Sequence, residues 1–219
     1  MRLLLGTRNA AKAREIARIL TAAADIELLS LDDVELPYTP DEERIEAFET
    51  FRESAAAKAR YYAERTGIPT IADDSGLAVD ALGGRPGVHS KRFSGRTDLE
   101  GEALDRENNR LLLQELEGVP PARRTAHFTC AVALATRERT ILTTIGTCAG
   151  AIATEPRGTH GFGYDPLFLL PDIGVTFAEV APDEKNRRSH RARALHALAA
   201  QLSELVHQGL TKQTTPAIL

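Results

Sequence analysis

Asp73 and Asp74 stand side by side after an apolar, β-branched run, Thr70-Ile71-Ala72, and are followed by Ser75 and Gly76. This pattern predicts a short buried strand closed by two carboxylates. In an open α/β sheet, ligands sit beyond the carboxyl ends of the strands. Carboxylates placed there can hold a hard cation such as Mg2+ and activate a water bound to it. Neighbouring strand residues point to opposite faces, so one aspartate should face the site while the other supports it. The competing reading is a surface Asp-Asp-Ser-Gly turn, which these residue types also favour.

Three further stretches carry chemistry. Leu3-Leu4-Leu5 reads as a strand, Gly6 to Lys12 as a polar turn, and the residues after it as a helix with Ala13, Ile16, Ala17 and Leu20 inward. A helix N-terminus offers N–H groups and a positive dipole end to an anion. Lys12 in the first turn is disfavoured by that dipole, and a bound phosphate would offset the cost. The glycine spacing of a P-loop is absent. Gly161-Phe162-Gly163-Tyr164-Asp165 lets backbone approach a ligand closely, with aromatic faces to stack on a base and a carboxylate to accept from ring N–H groups. Finally Lys185, Ser189, His190 and Arg191 precede or open a last helix, with Ser189 as its cap.

The elements that must position these groups follow from periodicity and punctuation. Asp25 to Leu36 reads as a second strand region, and Tyr38 to Glu43 as a loop. A long helix is expected from about Ile45 to Arg65, with Phe48, Phe51, Ala55, Ala59 and Tyr62 inward and Glu46, Glu49 and Glu53 along another side. Glycines and a proline between Gly83 and Val88 shape a loop, and a helix runs from about Thr97 to Glu117 with Leu104, Leu111 and Leu112 inward. His127 to Ala135 alternates and turns at Arg137-Glu138 into Thr140 to Thr147, which predicts a hairpin that Ala149 to Thr154 extends. Leu167 to Leu170 is a further strand. The last helix turns Leu195, Leu198, Leu202 and Leu205 inward, and the residues after Gly209 carry few core signals. Parallel units followed by antiparallel strands imply an α/β molecule with an elongated mixed sheet flanked by helices.

At 219 residues, 42% hydrophobic and 26% charged, the chain has the composition of one ordinary globular domain. A net charge of −4 argues against broad nucleic-acid binding, for which a basic footprint is expected. No apolar run reaches membrane-spanning length, and the N-terminus lacks a signal-peptide core. Cys130 and Cys148 form no CxxC pair and read as small core residues of a cytoplasmic protein.

Taken together, the motifs resemble the inosine triphosphate pyrophosphatase family. They are Thr7-x-Asn9-x-x-Lys12; Thr50-Phe51 with Ala55 and Lys58-Ala59; Ala72-Asp73-Asp74-Ser75-Gly76-Leu77; Gly161-Phe162-Gly163-Tyr164-Asp165-Pro166; and Lys185 with Ser189-His190-Arg191. The resemblance runs from Leu3 to about Leu205. It implies two lobes around a central nucleotide cleft, one unit over residues 1–208 with a tail at 209–219, and a homodimer. It implies Mg2+-dependent hydrolysis of inosine, deoxyinosine and xanthosine triphosphates to monophosphate and pyrophosphate. Thr7, Arg8, Asn9 and Lys12 would meet the triphosphate. Asp74 would be the catalytic carboxylate and, with Glu46, a metal ligand. Ser75 and Gly163 would touch substrate, Phe162 would stack on the purine, and Tyr164 and Asp165 would shape its pocket. Lys185, His190 and Arg191 would complete the phosphate and base contacts. Three positions depart from the family pattern: Phe48 where glycine is usual, Ser54 where asparagine is usual, and Arg8 where many members have glycine, an arginine that either adds a phosphate contact or faces solvent. Two other readings are open: a non-catalytic nucleotide sensor, or a pyrophosphatase for other modified nucleotides.

Overall fold

The computed structural model describes residues 1–23, 26–45 and 48–207. Its strands are β1 (Arg2–Leu5), β2 (Glu27–Leu29), β3 (Thr70–Val79), β4 (Thr125–Ala135), β5 (Thr140–Ile152), β6 (Phe168–Leu170) and β7 (Val175–Thr176). They form one sheet in the order β2-β1-β3-β4-β5-β6-β7. β1 pairs in parallel with β2 and β3, and every pairing from β3 to β7 is antiparallel. The helices are α1 (Ala10–Ala23), α2 (Asp41–Arg44), α3 (Phe51–Thr66), α4 (Gly101–Glu115), α5 (Pro182–Arg188) and α6 (His190–His207).

The aspartate pair does not close its strand. β3 runs ten residues through Asp73, Asp74, Ser75 and Gly76 to Val79, pairing with β4 at every step. The turn-forming types are overridden because the partner strand supplies a continuous ladder and Leu77 and Val79 resume burial beyond them. Ile71 belongs to an apolar core with Leu3, Ile16, Leu20, Leu195, Leu198 and Leu202. Leu77 and Val79 belong to a separate core with Leu112, Phe128, Phe168 and Phe177. β3 therefore spans two hydrophobic bodies, and its polar residues occupy the crossing between them.

β1 pairs with β3 only at Thr70 and Ile71. Beyond Ile71 no described strand covers that edge of β3 before the isolated bridge from Ala78 to Pro86. The turn after β1 stands there, tied on by the Gly6 N–H donating to the Ile71 carbonyl at 2.8 Å. This is the carboxyl end of a parallel strand, where α/β sheets hold ligands.

Several sequence expectations shift. The helix expected from Ile45 begins at Phe51, where Thr50 caps it by accepting the Glu53 N–H. A side-chain cap satisfies an orphan donor and fixes the start. Phe48 and Glu49 thus precede the helix, and Phe48 is 41% exposed rather than inward. Glu49 therefore does not share a helix face with Glu53, against the expected stripe, and Glu46, its third member, lies outside the described residues. The second strand region contracts to Glu27–Leu29, with Asp25 outside the described residues. Residues 182–188, read as a polar lead-in, are helical, and Ser189 caps α6 through the Ala192 N–H at 3.1 Å. The hairpin, α1 and α4 fall close to their expected places, and Cys130 and Cys148 are free and buried. The tail at 209–219 and the Leu205 side chain lie outside the described set.

Candidate functional site

The pleat of β3 sends its two aspartates to different neighbours. Asp73 is fully buried on the α1–α6 side. Its Oδ2 pairs with Lys12 Nζ at 3.1 Å and with Arg191 Nε at 3.2 Å. Asp74 looks toward α3, where Lys58 Nζ lies 3.1 Å from Oδ1. Ser75 returns to the first side and accepts from Arg191 Nη2 at 3.0 Å. Gly76 faces α3, and a Cβ there would meet the Gly87 carbonyl at 2.4 Å and Ser90 Oγ at 2.5 Å. A ligand lying across the uncovered edge of β3 can be reached from both sides, by Asp74 from one and by Lys12 and Ser75 from the other.

The turn before α1 is partly self-satisfied. Asn9 Oδ1 accepts the N–H groups of Ala11 and Lys12, both at 3.0 Å, and Thr7 Oγ1 accepts the Asn9 N–H at 3.2 Å. These bonds use N–H groups that an anion would otherwise take, leaving the Lys12 ammonium, the Thr7 hydroxyl and the Asn9 amide N–H groups as donors. Arg8 is engaged elsewhere. It forms a two-pronged pair with Glu42 at 2.8 and 3.0 Å and donates to the Leu36 carbonyl. Glu42 also accepts from Tyr62 at 2.7 Å, so Arg8 ties the turn to α2 and α3.

Beneath this turn lies a buried charge network. Lys185 Nζ donates to Asp165 at 2.5 Å and to Glu15 at 2.8 Å, and Arg191 Nη1 donates to Glu15 at 2.5 Å. With Asp73 and Lys12, three cations face three carboxylates, which meets the requirement that buried charges be paired. Burial alone would raise the Asp73 carboxyl, but Lys12, Arg191 and Lys58 hold it well below the usual carboxylate range. Glu15 is likewise lowered by Arg191 and Lys185 against the pull of burial. His190 goes the other way: burial, then the charges of Arg191 and Lys185, keep its imidazole neutral. Its ring stacks on Phe128 at 4.6 Å, and its buried Nδ1 has no hydrogen-bond partner among the described residues.

Phe162 sits over this network, with Lys185 Nζ 4.7 Å and Arg191 Cζ 5.6 Å from its ring centre. A cavity beside it is lined by Arg14, Glu15, His160, Gly161, Lys185 and Asn186. Gly161 has φ 80°, and a Cβ there would meet Asp165 Oδ2 at 2.0 Å, so only glycine fits. Asp165 Oδ2 accepts the Phe162 N–H at 2.8 Å. Tyr164 is an anchor: its ring is buried and its hydroxyl donates to the Ser90 carbonyl at 2.8 Å. Thus Lys12, Ser75, Phe162, Asp165, Lys185, His190 and Arg191 converge, Thr7 and Asn9 form the turn above Lys12, and Asp74 joins them across the edge of β3. Gly163 flanks Phe162.

Two participants had no role in the sequence reading: Lys58, quoted there only as part of a motif, and Glu15, not singled out at all. Lys58 shares the i, i+3, i+4, i+7 face with Ala55, Ala59 and Tyr62, and a cation inside an apolar stripe was the available signal. Glu15 lies three residues after Lys12 on α1 and otherwise reads as an ordinary surface acid.

No group of three or more His, Cys, Asp or Glu is gathered for a metal among the described residues. Mg2+ keeps several waters, however, and is bound through one or two carboxylates together with substrate phosphates. Asp74, with its side chain 18% exposed, is a hard-oxygen donor of that kind, so the residues fit. Glu46, the other expected ligand, is outside the described residues.

The Ham1 family model matches residues 3–201. A dITP/XTP pyrophosphatase of Geobacillus kaustophilus is 48% identical over 204 residues, covering 93% of this chain and 95% of the relative. One from Frankia alni is 48% identical over 207 residues, covering 94% and 99%. Among solved structures, a HAM1 protein from Coxiella burnetii superposes with a TM-score of 0.79 at 37% identity, covering 93% of this chain and 99% of that one. A nucleoside-triphosphatase / dITP/XTP pyrophosphatase from Mycobacterium abscessus gives 0.68 at 43% identity, covering 92% and 100%.

Proposed function

Because the chain belongs to the Ham1 family, we propose that it hydrolyses the non-canonical purine nucleoside triphosphates ITP, dITP and XTP to the monophosphate and pyrophosphate. The observation that carries this reading is that Asp74 and Lys12 reach β3 from opposite faces while Arg191, bonded to Asp73 and Ser75 of that strand, lies against the Phe162 ring. The relatives named as dITP/XTP pyrophosphatases support it.

The triphosphate lies along that edge, with Lys12, Thr7 and Asn9 as its donors. Asp74, held at one oxygen by Lys58, accepts the proton of the water that attacks the α-phosphorus. Asp74 with Glu46 would hold Mg2+, which when bound supplies charge neutralisation at the leaving pyrophosphate. The three cations of the buried network are already balanced by three carboxylates. Substrate binding therefore redistributes existing pairs, and Lys12, with its side chain 16% exposed, is the cation placed to shift.

Base selection acts at the purine 6-position. Arg191 makes four hydrogen bonds, to Asp73, Ser75 and Glu15, out of five N–H donors. The remaining donor lies on Nη1, and neutral His190 adds at most one ring N–H. Donors suit the 6-oxo group of hypoxanthine or xanthine and leave an adenine amine unmatched. A site built this way discriminates by about 10^4–10^5. Guanine is rejected at its 2-amino group.

Residues 1–208 act as one two-lobed unit, active as a homodimer in the cytoplasm. Ile141 and Ile145 of β5 are 37% and 45% exposed, apolar surface that a second subunit would cover. No described helix is long and apolar enough to cross a membrane. The test is pyrophosphate release from inosine, xanthosine, guanosine and adenosine triphosphates, each with and without Mg2+. Fast release from the first two, only with metal, is expected. Equal release from all four would discard the base pocket, and tight binding without release would favour a nucleotide sensor.

A further inference from the structure

α4 lies outside every motif that points to nucleotide chemistry, yet its polar side chains meet the Phe162 turn. Asp105 Oδ2 accepts the Gly163 N–H at 2.8 Å, and Asn109 Nδ2 donates to the Gly163 carbonyl at 2.9 Å. The two residues are four apart, so they share one helix face. Asp165 accepts the Phe162 N–H at 2.8 Å. Three consecutive peptide units around the aromatic ring are thus each held by a different side chain. Between them, Asn108 accepts the Ser94 N–H at 2.8 Å and donates to the Lys91 carbonyl at 3.1 Å, fastening the neighbouring segment to the same helix.

We propose that Asp105 and Asn109 are positioning residues that fix the Phe162 ring for stacking on the purine. The proposal rests on the reading of Phe162 as the base platform. Gly161 and Gly163, at φ 80° and 63°, bracket the ring with left-handed backbone that side-chain contacts of their own cannot steady. A ring on such a turn stacks productively only when something outside the turn holds the peptides. Asn109 is 7% exposed and its Oδ1 has no hydrogen-bond partner among the described residues. A buried amide left half-satisfied is costly, and an apolar residue would pack better at that position. The bond that its other atom makes to Gly163 offsets that cost.

The test uses the full-length protein and the variants Asp105→Ala, Asp105→Asn and Asn109→Ser. The KM for ITP and the calorimetric Kd for inosine monophosphate should rise about tenfold in Asp105→Ala and Asn109→Ser, the scale of one lost hydrogen bond. The kcat should stay within about twofold, and inhibition by inorganic triphosphate, which has no base, should not change. Asp105→Asn keeps an acceptor for the Gly163 N–H and should restore wild-type values. Unchanged KM and Kd in Asp105→Ala and Asn109→Ser would overturn the proposal, and so would equal weakening of inorganic triphosphate. If Asp105→Ala fails to fold, Asn109→Ser decides alone. A wild-type protein that binds neither ITP nor inosine monophosphate would instead overturn the underlying function.

Discussion

Replacing each of two adjacent aspartates by asparagine should damage two different properties. Asp73 is fully buried and faces Arg191, whose side chain is 2% exposed, and Lys12, whose side chain is 16% exposed. Asp73→Asn removes the anion that Lys12 and Arg191 share, leaving Arg191 with Glu15 alone, and breaking a buried pair costs about 3–5 kcal/mol. For a chain of this size that lowers Tm by about 6–20 °C. Asp74 faces one lysine at 3.1 Å, and asparagine keeps an acceptor for it, so Asp74→Asn should cost at most about 1–2 kcal/mol. Its loss appears in catalysis instead. Removing a positioned proton acceptor slows turnover by about 10^2–10^4. The assay is paired: thermal melts of both variants, and pyrophosphate release from ITP at a temperature where both are folded. Asp73→Asn should melt early and keep kcat within about tenfold, while Asp74→Asn should melt near wild type and be almost inactive. An active Asp74→Asn, or an Asp73→Asn that melts with wild type, would refute the division that the pleat imposes.

The remaining predictions concern pH and the phosphate turn. Asp73 and Glu15 are held below their usual range, so their contribution is full above the unfolded values of about 3.9 and 4.3 and is lost as pH falls below them. His190 is held neutral, so a separate loss begins as pH falls below its unfolded value of about 6.5. Urea midpoints between pH 3 and 8 should show both declines, with His190→Gln removing the upper one; a flat profile above pH 5 in wild type would contradict the burial of a neutral His190. Arg8→Ala should cost about 1–2 kcal/mol through the Glu42 latch, with KM changed less than in Lys12→Ala. A large KM effect with unchanged stability would show that Arg8 contacts the triphosphate directly.

Most of the strand and helix order was legible because apolar periodicity survives in β5, α1 and α6, each of which buries one face, and in β4, whose larger side chains alternate with alanines although both faces are buried from Cys130 to Ala135. The start of α3 was misplaced because Phe48 imitates the first residue of an apolar stripe, while the real signal was the Thr50 cap with Glu53 three residues on. The aspartate pair was misread as a strand end because local propensity says turn; only pairing with β4, distant in sequence, continues the strand. The doubt that both aspartates could serve equally followed from the pleat alone and agrees with their separate neighbours. The buried network was not legible as a network. Glu15 meets Lys185 and Arg191 across 170 and 176 residues, and nothing local marks such a partner. Arg8 was read toward the phosphate because its turn is, while its engagement with Glu42 depends on how α2 folds back.

Hydrolysis of ITP in water enriched in 18O tests most directly whether this site sends water to the α-phosphorus. One label per turnover should enter inosine monophosphate, with unlabelled pyrophosphate formed in equal amount. Label in the pyrophosphate, or release of orthophosphate in its place, would contradict the proposed geometry of Asp74 and the triphosphate.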